Sequence, residues 1–466
     1  MDPPIDTHPD CESIETGVPP VTGPVKGGFK EVWQLAYPVV ITMASMSLMG
    51  VVDTLYMGFV GTAQQGAVGL AAVLSWTLMS FFNGTITATN TFVAQLFGAK
   101  KHQECGKVIW QAFYFALLAL GVVFLLIIPN IGPLVQAIGS SAEVTWHACQ
   151  YMQVRLAGSV FVFCNFCVVG FLRGIGDTKT PMKVTLFVNA LNIGFTYLLV
   201  FGKLGLPALG VPGAALGTVI SQGVASGIYL YLIFRRQISG RYATRKFYPP
   251  IWDLMKRWLK VGVPIGLWWI LEMGGFTVFT MFVATLGETQ LAGHQIVRQL
   301  AHLSFLPGVA VSVAALTLVG QYLGAGDPVS AERSAKTAIK IAMLIMGSLS
   351  MLFLLLRYPI AYLFNRDPAV QEVAANLFFF VVIFQVLDAL GTVSSGAIRG
   401  AGDTRWPMVV SLLLSWFFFV PSVLILGKVL EWGVYGAWTG ATVYICILGL
   451  TMYGRFRGGK WKKMKI

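Results

Sequence analysis

The sequence carries little charge for its length. Only 11% of its 466 residues are Asp, Glu, Lys or Arg, whereas a soluble globular protein has about 25%. Short enzyme motifs are missing as well: there is no Gly-x-Ser-x-Gly, no His-Glu-x-x-His and no paired-aspartate signature of intramembrane proteases. These absences argue against a soluble protein and against an enzyme.

Cysteine is scarce, with six in the chain. Cys164 and Cys167 have the spacing of a redox or metal pair. They lie inside an apolar run, where small residues three apart commonly serve helix packing. We interpret them as packing residues and expect no cofactor.

Long apolar runs dominate the chain instead. Apolar residues make up 56% of the sequence, and runs of about 20, enough to cross a bilayer as a helix, recur along it. We predict twelve spans, over residues 32–60, 66–97, 107–129, 144–172, 182–202, 210–234, 257–286, 291–323, 334–357, 370–398, 406–427 and 433–455. The predicted fold class is an all-α integral membrane protein.

The sequence contains an internal repeat, in which the second copy follows the first with an offset of 226 residues. Residues 170–182, Gly-Phe-Leu-Arg-Gly-Ile-Gly-Asp-Thr-Lys-Thr-Pro-Met, return as residues 396–408, Gly-Ala-Ile-Arg-Gly-Ala-Gly-Asp-Thr-Arg-Trp-Pro-Met. The same offset pairs Pro38 with Pro264, Gly61 with Gly287, Gln64 with Gln290, Gln95 with Gln321, and Gly98 with Gly324. Repeats of apolar spans are typical of transporters. We predict two homologous six-helix bundles, related by a pseudo-two-fold axis along the membrane normal, with the substrate path between them.

The repeated string falls after the fourth span of each half. Its glycines favour a tight turn, its Asp-Thr can cap the next helix, and its Pro suits the start of that helix. We interpret it as a hinge. Arg173 and Arg399 could pair with Asp177 and Asp403, or hold lipid phosphates.

The positive charge is distributed unequally between the two sides of the membrane. With twelve spans both termini lie on one side, and 27 of the 33 Lys and Arg residues fall in its loops and tails, against 4 on the other side. The positive-inside rule places both termini in the cytoplasm. Because this charge is scattered over several short loops, it does not predict nucleic-acid binding.

Polar segments divide the chain into domains. Residues 1–28 have no apolar run and predict a disordered cytoplasmic tail, without the features of a cleaved signal peptide. The predicted segments that follow are an N-terminal lobe (29–234), a basic cytoplasmic linker (235–256), a C-terminal lobe (257–455) and a basic cytoplasmic tail (456–466). Residues 252–260 could lie as an amphipathic helix on the anionic inner leaflet.

Three carboxylates inside predicted spans are not repeated. They are Asp53 in span 1, Glu272 in span 7 and Asp388 in span 10. At the equivalent positions of the other half the residues are Phe279, Met46 and Val162, respectively. Ionisable residues inside a membrane are unfavourable and are candidates for function. A buried carboxylate can hold a proton, or Na⁺ if enough oxygens surround it, and can exchange either for a cationic substrate. The alternative is a structural carboxylate satisfied by hydroxyl groups or by an arginine.

Other polar residues lie in the same spans. Asn189, Asn192 and Thr196 are in span 5, with Asn192 and Thr196 one turn apart on one face. Span 8 carries His294, Gln295, Arg298, Gln299 and His302, and the four-residue spacing of 294, 298 and 302 suggests one polar stripe. Arg298 could neutralise Glu272 or Asp388 and make that pair structural.

With these features the chain resembles the multidrug and toxic compound extrusion (MATE) transporters. The resemblance covers about residues 30–455 and includes Ala36-Tyr-Pro38, residues 52–61 (Val-Asp-Thr-Leu-Tyr-Met-Gly-Phe-Val-Gly), both Arg-Gly-x-Gly-Asp-Thr strings, Gly293-His-Gln-Ile296 and residues 318–325. It implies the NorM-type branch in preference to the DinF-type. In that branch, Glu272 and Asp388 resemble the acidic residues that hold the coupling cation.

The same resemblance makes Asp53 similar to the span 1 aspartate of the N-terminal lobe, assisted by Asn192 and Thr196. Two positions depart from the family pattern. Phe384 stands where NorM-type proteins often have Tyr, which removes an oxygen from a Na⁺ site. Thr196 stands where archaeal and DinF-like members tend to be acidic.

These observations predict a secondary antiporter of the cell (inner) membrane that exports organic cations in exchange for inward Na⁺ or H⁺. Asp53, Glu272 and Asp388 would couple the exchange, with Glu272 and Asp388 as the Na⁺ ligands, and the cavity would be lined by Asn189, Asn192, Thr196, Gln295, Arg298 and His302. We expect a monomer that contacts membrane lipids. The alternative function is a lipid-linked precursor flippase of the same superfamily.

Overall fold

The computed structural model describes residues 26–139 and 141–464. The predicted disordered tail lies outside these residues except for Lys26–Gly28. Throughout the described ranges the regular structure is helical. The α-helices are α1 (Phe29–Val60), α2 (Thr62–Ile86), α3 (Ala88–Gly98), α4 (Glu104–Val122), α5 (Ile131–Gln136), α6 (Ala142–Ala157), α7 (Ser159–Gly174), α8 (Lys179–Phe201), α9 (Val211–Phe234), α10 (Arg236–Tyr242), α11 (Trp252–Ala284), α12 (Glu288–Gly324), α13 (Pro328–Leu355), α14 (Arg357–Phe364), α15 (Pro368–Gly400), α16 (Arg405–Leu414), α17 (Val420–Leu424) and α18 (Gly433–Arg457).

These helices form twelve apolar spans. Eleven are long and apolar enough to cross a membrane without a sharp bend, and α6 with α7 makes a twelfth that is bent by 47°. Span 2 joins α2 and α3, span 3 runs from α4 to α5, span 4 is α6 and α7, and span 11 runs from α16 to Val429. The predicted all-α membrane fold with two six-helix bundles is confirmed.

The two halves pack against each other through equivalent helices. Span 1 (α1) packs on span 8 (α12), and span 7 (α11) packs on span 2. Where span 7 crosses span 2, Gly84 and Gly266 face each other so closely that a methyl group on Gly84 would come within 2.9 Å of the Gly266 Cα. Glycine is needed at this crossing because two helix backbones share the space.

A reciprocal pair of hydrogen bonds closes one end of the bundle. The Gln95 side chain donates to the Gly400 carbonyl at 3.0 Å, and the Gln321 side chain donates to the Gly174 carbonyl at 2.9 Å. Gln95 and Gln321 are repeat partners, and so are Gly174 and Gly400. We call this region, defined by Gln95, Gln321 and the glycines they bind, the closed end.

Glycines make the close approach at the closed end possible. A methyl group on Gly98 would overlap the Gln321 carbonyl, and one on Gly324 would overlap the Gln95 carbonyl. The repeated Arg-Gly-x-Gly-Asp-Thr string therefore has a second role that the sequence did not suggest. Besides making a turn, it accepts a hydrogen bond from the other half.

Away from the closed end the halves separate. The buried residues of span 1 run from Val32 to Thr42, and beyond Thr42 the single buried residue of this helix is Met57. Large apolar side chains in its far half are exposed: Met46, Leu48, Val51, Leu55 and Phe59. In the far half of span 7, Met273 and Met281 are exposed, whereas Phe279, Phe282 and Val283 are buried within the C-terminal half. The molecule is closed at one end and splayed at the other.

The linker between the halves is held against span 3. Trp110 donates to the Thr244 carbonyl at 3.1 Å, and Tyr114 donates to the Tyr248 carbonyl at 2.6 Å. Residues 252–260 are the first turns of the 33-residue helix α11. The structure thus has no separate interfacial helix there, because the helix continues directly into span 7.

Both ends of the described part of the chain contact the C-terminal half beside the closed end. The Tyr322 hydroxyl donates to the Glu31 carboxylate at 2.7 Å, and the Gly27 backbone amide donates to the same group at 2.6 Å. Trp461 is fully buried and stacks on Phe456. The segment predicted as a basic tail is therefore partly packed.

Candidate functional site

Two of the three predicted carboxylates come together in the C-terminal half. Glu272, in the middle of span 7, interacts electrostatically with Asp388 of span 10. Both side chains are half-buried, so each keeps some contact with open space. The repulsion between two interacting carboxylates is relieved when a positive charge, such as a proton or a metal ion, binds to one of them or to both.

Two residues that carry hydroxyl groups lie near this pair. The Thr392 hydroxyl, one turn along span 10, donates to the Asp388 Oδ1 at 3.3 Å. Tyr444 of span 12 is buried and lies within electrostatic range of Glu272 and Asp388. The sequence analysis missed both residues. The i+4 spacing of Thr392 could have revealed the first, whereas Tyr444 is brought in only by tertiary packing.

The arginine that interacts electrostatically with Glu272 is Arg399, and Arg298 has no such interaction with Glu272 or Asp388 among the described residues. Arg399 interacts electrostatically with Glu272, and its guanidinium carbon lies 4.7 Å from the centre of the Trp268 ring. The proposed pairing of Arg399 with Asp403 is wrong, because Asp403 forms a 2.7 Å ion pair with Arg455. In the other half, Asp177 instead accepts the Thr180 backbone amide at the start of α8.

Asp53 lies in a separate environment in the N-terminal half. Its side chain is half-buried, and its Oδ1 is a buried atom with no hydrogen-bond partner among the described residues. Arg155 and Tyr151, both from α6 in span 4, lie within electrostatic range. Asp53 and Glu272 therefore each have an arginine nearby, Arg155 and Arg399 respectively, that could neutralise the carboxylate and give it a purely structural role.

The span 5 residues contact two different helices. Asn189 donates to the Ser45 hydroxyl of span 1 at 2.7 Å, and Asn192 donates to the Thr218 hydroxyl of span 6 at 3.3 Å. The side-chain oxygen of Asn192 (Oδ1) and the Thr196 hydroxyl are buried without a hydrogen-bond partner in the described part of the chain. These two free polar atoms remain available for a ligand or a water molecule.

The prediction that His294, Arg298 and His302 form one polar face of span 8 is wrong. His294 is fully buried and accepts a hydrogen bond from Trp438 at 3.2 Å, whereas Arg298 and His302 are exposed. A four-residue step exceeds the 3.6-residue turn, so the stripe rotates by about 80° between positions 294 and 302. Half-buried Gln295 accepts a hydrogen bond from Arg298 at 3.0 Å and lies beside the exposed part.

The site thus has a half-buried acidic pair next to a fixed positive charge. Within the residues that the structure describes, no cluster of three or more His, Cys, Asp or Glu has the arrangement of a metal centre. Two carboxylates and the Thr392 hydroxyl can still hold a single proton or a weakly bound monovalent cation. Such an arrangement suits reversible binding better than catalysis.

Comparison with known families agrees with this geometry. The MatE family model matches residues 38–198 and again residues 264–424, two segments that are themselves 226 residues apart. The chain belongs to the MatE family. The matched segments lie in the first five spans of each half, and they include all three predicted carboxylates.

Curated relatives of this MatE protein carry transporter names. It is 29% identical over 439 residues to a probable multidrug resistance protein NorM of Thermotoga maritima, covering 94% of each chain. It is 31% identical to a protein of the same name from Aromatoleum aromaticum, covering 82% of each. The multidrug resistance protein MdtK of Yersinia pseudotuberculosis is 28% identical, with 91% of this chain and 94% of the relative covered.

Solved structures share the fold. A multidrug resistance MATE family transporter described as outward-facing superimposes with a TM-score of 0.86 at 22% identity, covering 94% of this chain and 97% of the other. A MOP superfamily transporter from Pyrococcus furiosus, described as having a binding pocket of reverse polarity, gives a TM-score of 0.84 at 23% identity over the same shares. At these identities the likeness concerns the fold alone.

The comparisons confirm several predictions at once. The MATE resemblance and its NorM-type branch are confirmed, and the protein is a multi-span membrane transporter and not an enzyme. A small molecule is accordingly the class of substrate. The flippase alternative is not favoured by these matches.

Proposed function

We propose that this protein is a secondary antiporter that exports organic cations in exchange for inward H⁺ or Na⁺. The observation that carries the proposal is the convergence of Glu272 and Asp388, two unrepeated carboxylates from spans 7 and 10, at one half-buried position. A pair of carboxylates inside a membrane attracts cations and binds them reversibly.

The exchange follows from competition for the same negative charge. When H⁺ or Na⁺ binds Glu272 and Asp388, it neutralises the pair, and an organic cation held there loses its electrostatic partner. When the coupling ion leaves, the pair attracts a new organic cation. A ligand drives a change between two states only if it binds them unequally, so the proposal requires the pair to bind these cations with different affinity in the outward-open and inward-open states.

The positive-inside rule supports the orientation that we propose. It places the closed end, both termini and the linker in the cytoplasm of a cell whose inner membrane contains the twelve spans. The state described above is then open to the outside. The lobes 29–234 and 257–455 would be the two bodies that rock against each other, joined by the linker 235–256.

Asp53 has a proposed role of its own. It lies in the N-terminal lobe near Arg155, with the unpartnered polar atoms of Asn192 and Thr196 in the same lobe. We infer that it acts as a second protonation site and leaves the metal ion, when there is one, to Glu272 and Asp388. The pair suits H⁺ as well as Na⁺, because Phe384 supplies no oxygen ligand whereas the Thr392 hydroxyl contacts Asp388.

Efflux of a fluorescent organic cation from proteoliposomes tests the proposal. An imposed pH gradient and an imposed Na⁺ gradient, each applied alone, should identify the coupling ion. Wild type should respond to at least one of them, and Glu272→Gln and Asp388→Asn should not. If both variants transport at the wild-type rate, the assignment of the acidic pair is wrong.

A further inference from the structure

Span 10 carries a continuous polar stripe that ends in Arg399. Asp388, Thr392, Ser395 and Arg399 follow steps of four, three and four residues, which keeps them on one face of helix α15. The Thr392 hydroxyl donates to Asp388, and the Arg399 Nε donates to the Ser395 carbonyl at 3.3 Å. Eleven residues separate the two charges, which is roughly 16 Å along the helix axis.

Span 7 places Arg399 on the inner side of the acidic pair. Trp268 precedes Glu272 by one turn, toward the closed end where span 7 begins. Because the Arg399 guanidinium stacks on Trp268, it lies between Glu272 and the closed end. A cation that reaches the pair from the splayed end therefore meets a fixed positive charge directly behind it.

The charge of Arg399 is not neutralised by direct contact. The ion pairs that the structure describes are Lys336–Glu332, Arg455–Asp403 and Lys462–Glu332, and Arg399 belongs to none of them. Arginine keeps its charge in proteins. The half-buried guanidinium is held by the ring of Trp268 and by the field of Glu272.

The backbone at Arg399 belongs to the contact between the lobes. The Thr91 hydroxyl donates to the Arg399 carbonyl at 3.3 Å, and Gln95 donates to the next carbonyl, that of Gly400, at 3.0 Å. Both donors belong to span 2, in the other half. Any opening of the closed end must break these two bonds and free the segment that carries Arg399.

The repeat provides a natural comparison. Arg173 is the partner of Arg399, but the residues equivalent to Trp268 and Glu272 are Thr42 and Met46. The Thr42 hydroxyl is used by its own helix, since it donates to the Pro38 carbonyl at 2.7 Å. Arg173 therefore has the same place in the motif, but span 1 offers it neither an aromatic ring nor a carboxylate at these two positions, and it interacts electrostatically with Tyr229 of span 6 instead.

We infer that Arg399 is an inner electrostatic barrier of the coupling-ion path. It stops a cation bound at Glu272 and Asp388 from passing through the closed end, and it is withdrawn only when the lobes separate there. Arg399, a residue of the motif that both halves share, thus has an electrostatic role. This inference rests on the proposed antiport at the acidic pair. Without the barrier, the coupling ion would cross without an exchanged substrate.

Ion entry into substrate-free proteoliposomes tests the barrier. H⁺ entry is followed with a trapped pH-sensitive dye and Na⁺ entry with a radioactive tracer, using Arg399→Gln with Arg173→Gln as the matched control. We expect ion entry in Arg399→Gln to be at least about fivefold faster than in wild type, because rate depends exponentially on barrier height. Arg173→Gln should remain at the wild-type rate.

Two further variants separate a barrier from a damaged fold. Arg399→Lys keeps the charge and should restore slow entry, and Arg399→Gln combined with Glu272→Gln should lose the leak because the ion no longer binds. Equal entry rates in Arg399→Gln and Arg173→Gln would overturn the inference. So would a leak that persists in the double variant. Wild-type efflux, measured in vesicles of the same preparation that are loaded with the fluorescent cation, shows independently whether the proposed antiport itself fails.

Discussion

The residues that the two halves share and the residues that only one half has lie in different parts of the molecule. The shared residues Gln95, Gln321 and their glycine partners meet at the closed end in a symmetric pair of contacts. The unshared residues Glu272 and Asp388 lie together in one lobe, next to the splayed end. The repeat thus preserves the surfaces by which the lobes meet, while the chemistry inside each lobe has diverged.

This separation has a physical reason. A two-fold interface requires both halves to present the same surface, so a change on one side disturbs contacts made by both. A buried carboxylate requires only its local neighbours. Symmetry therefore constrains the closed end strongly and the interior of each lobe weakly.

The largest expected effect comes from removing the unshared charges. Glu272→Gln and Asp388→Asn should each lower the initial efflux rate at least about tenfold, because loss of a charged partner costs about 2 kcal/mol or more. The matched controls are Met46→Leu and Val162→Ile at the equivalent positions, which should transport normally. Comparable losses in the controls would mean that the two lobes do not differ in chemistry as we propose.

A smaller effect is expected from overfilling the shared contact. Gly98→Val and Gly324→Val place a side chain where the Gln321 and Gln95 carbonyls lie. Each should weaken the closed end by about 1–3 kcal/mol and shift the protein toward a state open at that end. Distances between spin labels on Lys101→Cys and Asp327→Cys, in a background without other cysteines, would report the shift.

The two glycine variants should behave alike. An opening seen with one glycine variant and absent with the other would contradict the reciprocal arrangement. A useful reference is Gly50→Val, at a glycine whose side-chain position has no neighbour within 4 Å. That variant should leave the label distances unchanged.

Removing one shared hydrogen bond should have a milder effect. Gln95→Ala and Gln321→Ala each lose one side-chain bond to a glycine carbonyl, worth about 1 kcal/mol. The same label distances should show a fewfold larger open population in each single variant. Because both hydrogen bonds join the two lobes at the closed end, the double variant should open more than either single variant. If the double variant opens no further, the second hydrogen bond does not stabilise the closed end.

The smallest effect concerns a loop position that has a positive φ in both halves but a different residue in each. Lys100 has a φ of 59°, and its repeat partner is Gly326, with a φ of 75°. A side chain at positive φ is unfavourable by about 1 kcal/mol. Lys100→Gly should raise the thermal unfolding temperature slightly, and Gly326→Lys should lower it, although nothing lies within 4 Å of the Gly326 side-chain position. A change of the same sign in both variants would contradict the explanation.

Much of this architecture could be predicted from the sequence. Apolar runs located all twelve spans, and comparison of the two copies singled out Glu272 and Asp388 before any contact was known. The role of Arg399 could not be predicted, because span 10 was expected to end at residue 398. The helix continues to Gly400, which places Arg399 on the face of Asp388.

Two other features depend on packing that sequence patterns do not contain. His294 became part of a buried aromatic cluster with Trp438 and Phe279 because the face of span 8 rotates along the helix. The bonds from Gln95 and Gln321 were also invisible in the sequence, although both residues were recognised as repeat partners. Which carbonyl a glutamine reaches depends on how the two lobes dock.

The crossed glutamine bonds give the closed end the design of a homodimer interface within one polypeptide. In a two-fold dimer, residue i of one subunit contacts residue j of the other, and j in turn contacts i. Here the linker keeps the two partners at a fixed, high effective concentration. The interface can therefore be weak enough to open in every cycle and still close again without a search for its partner.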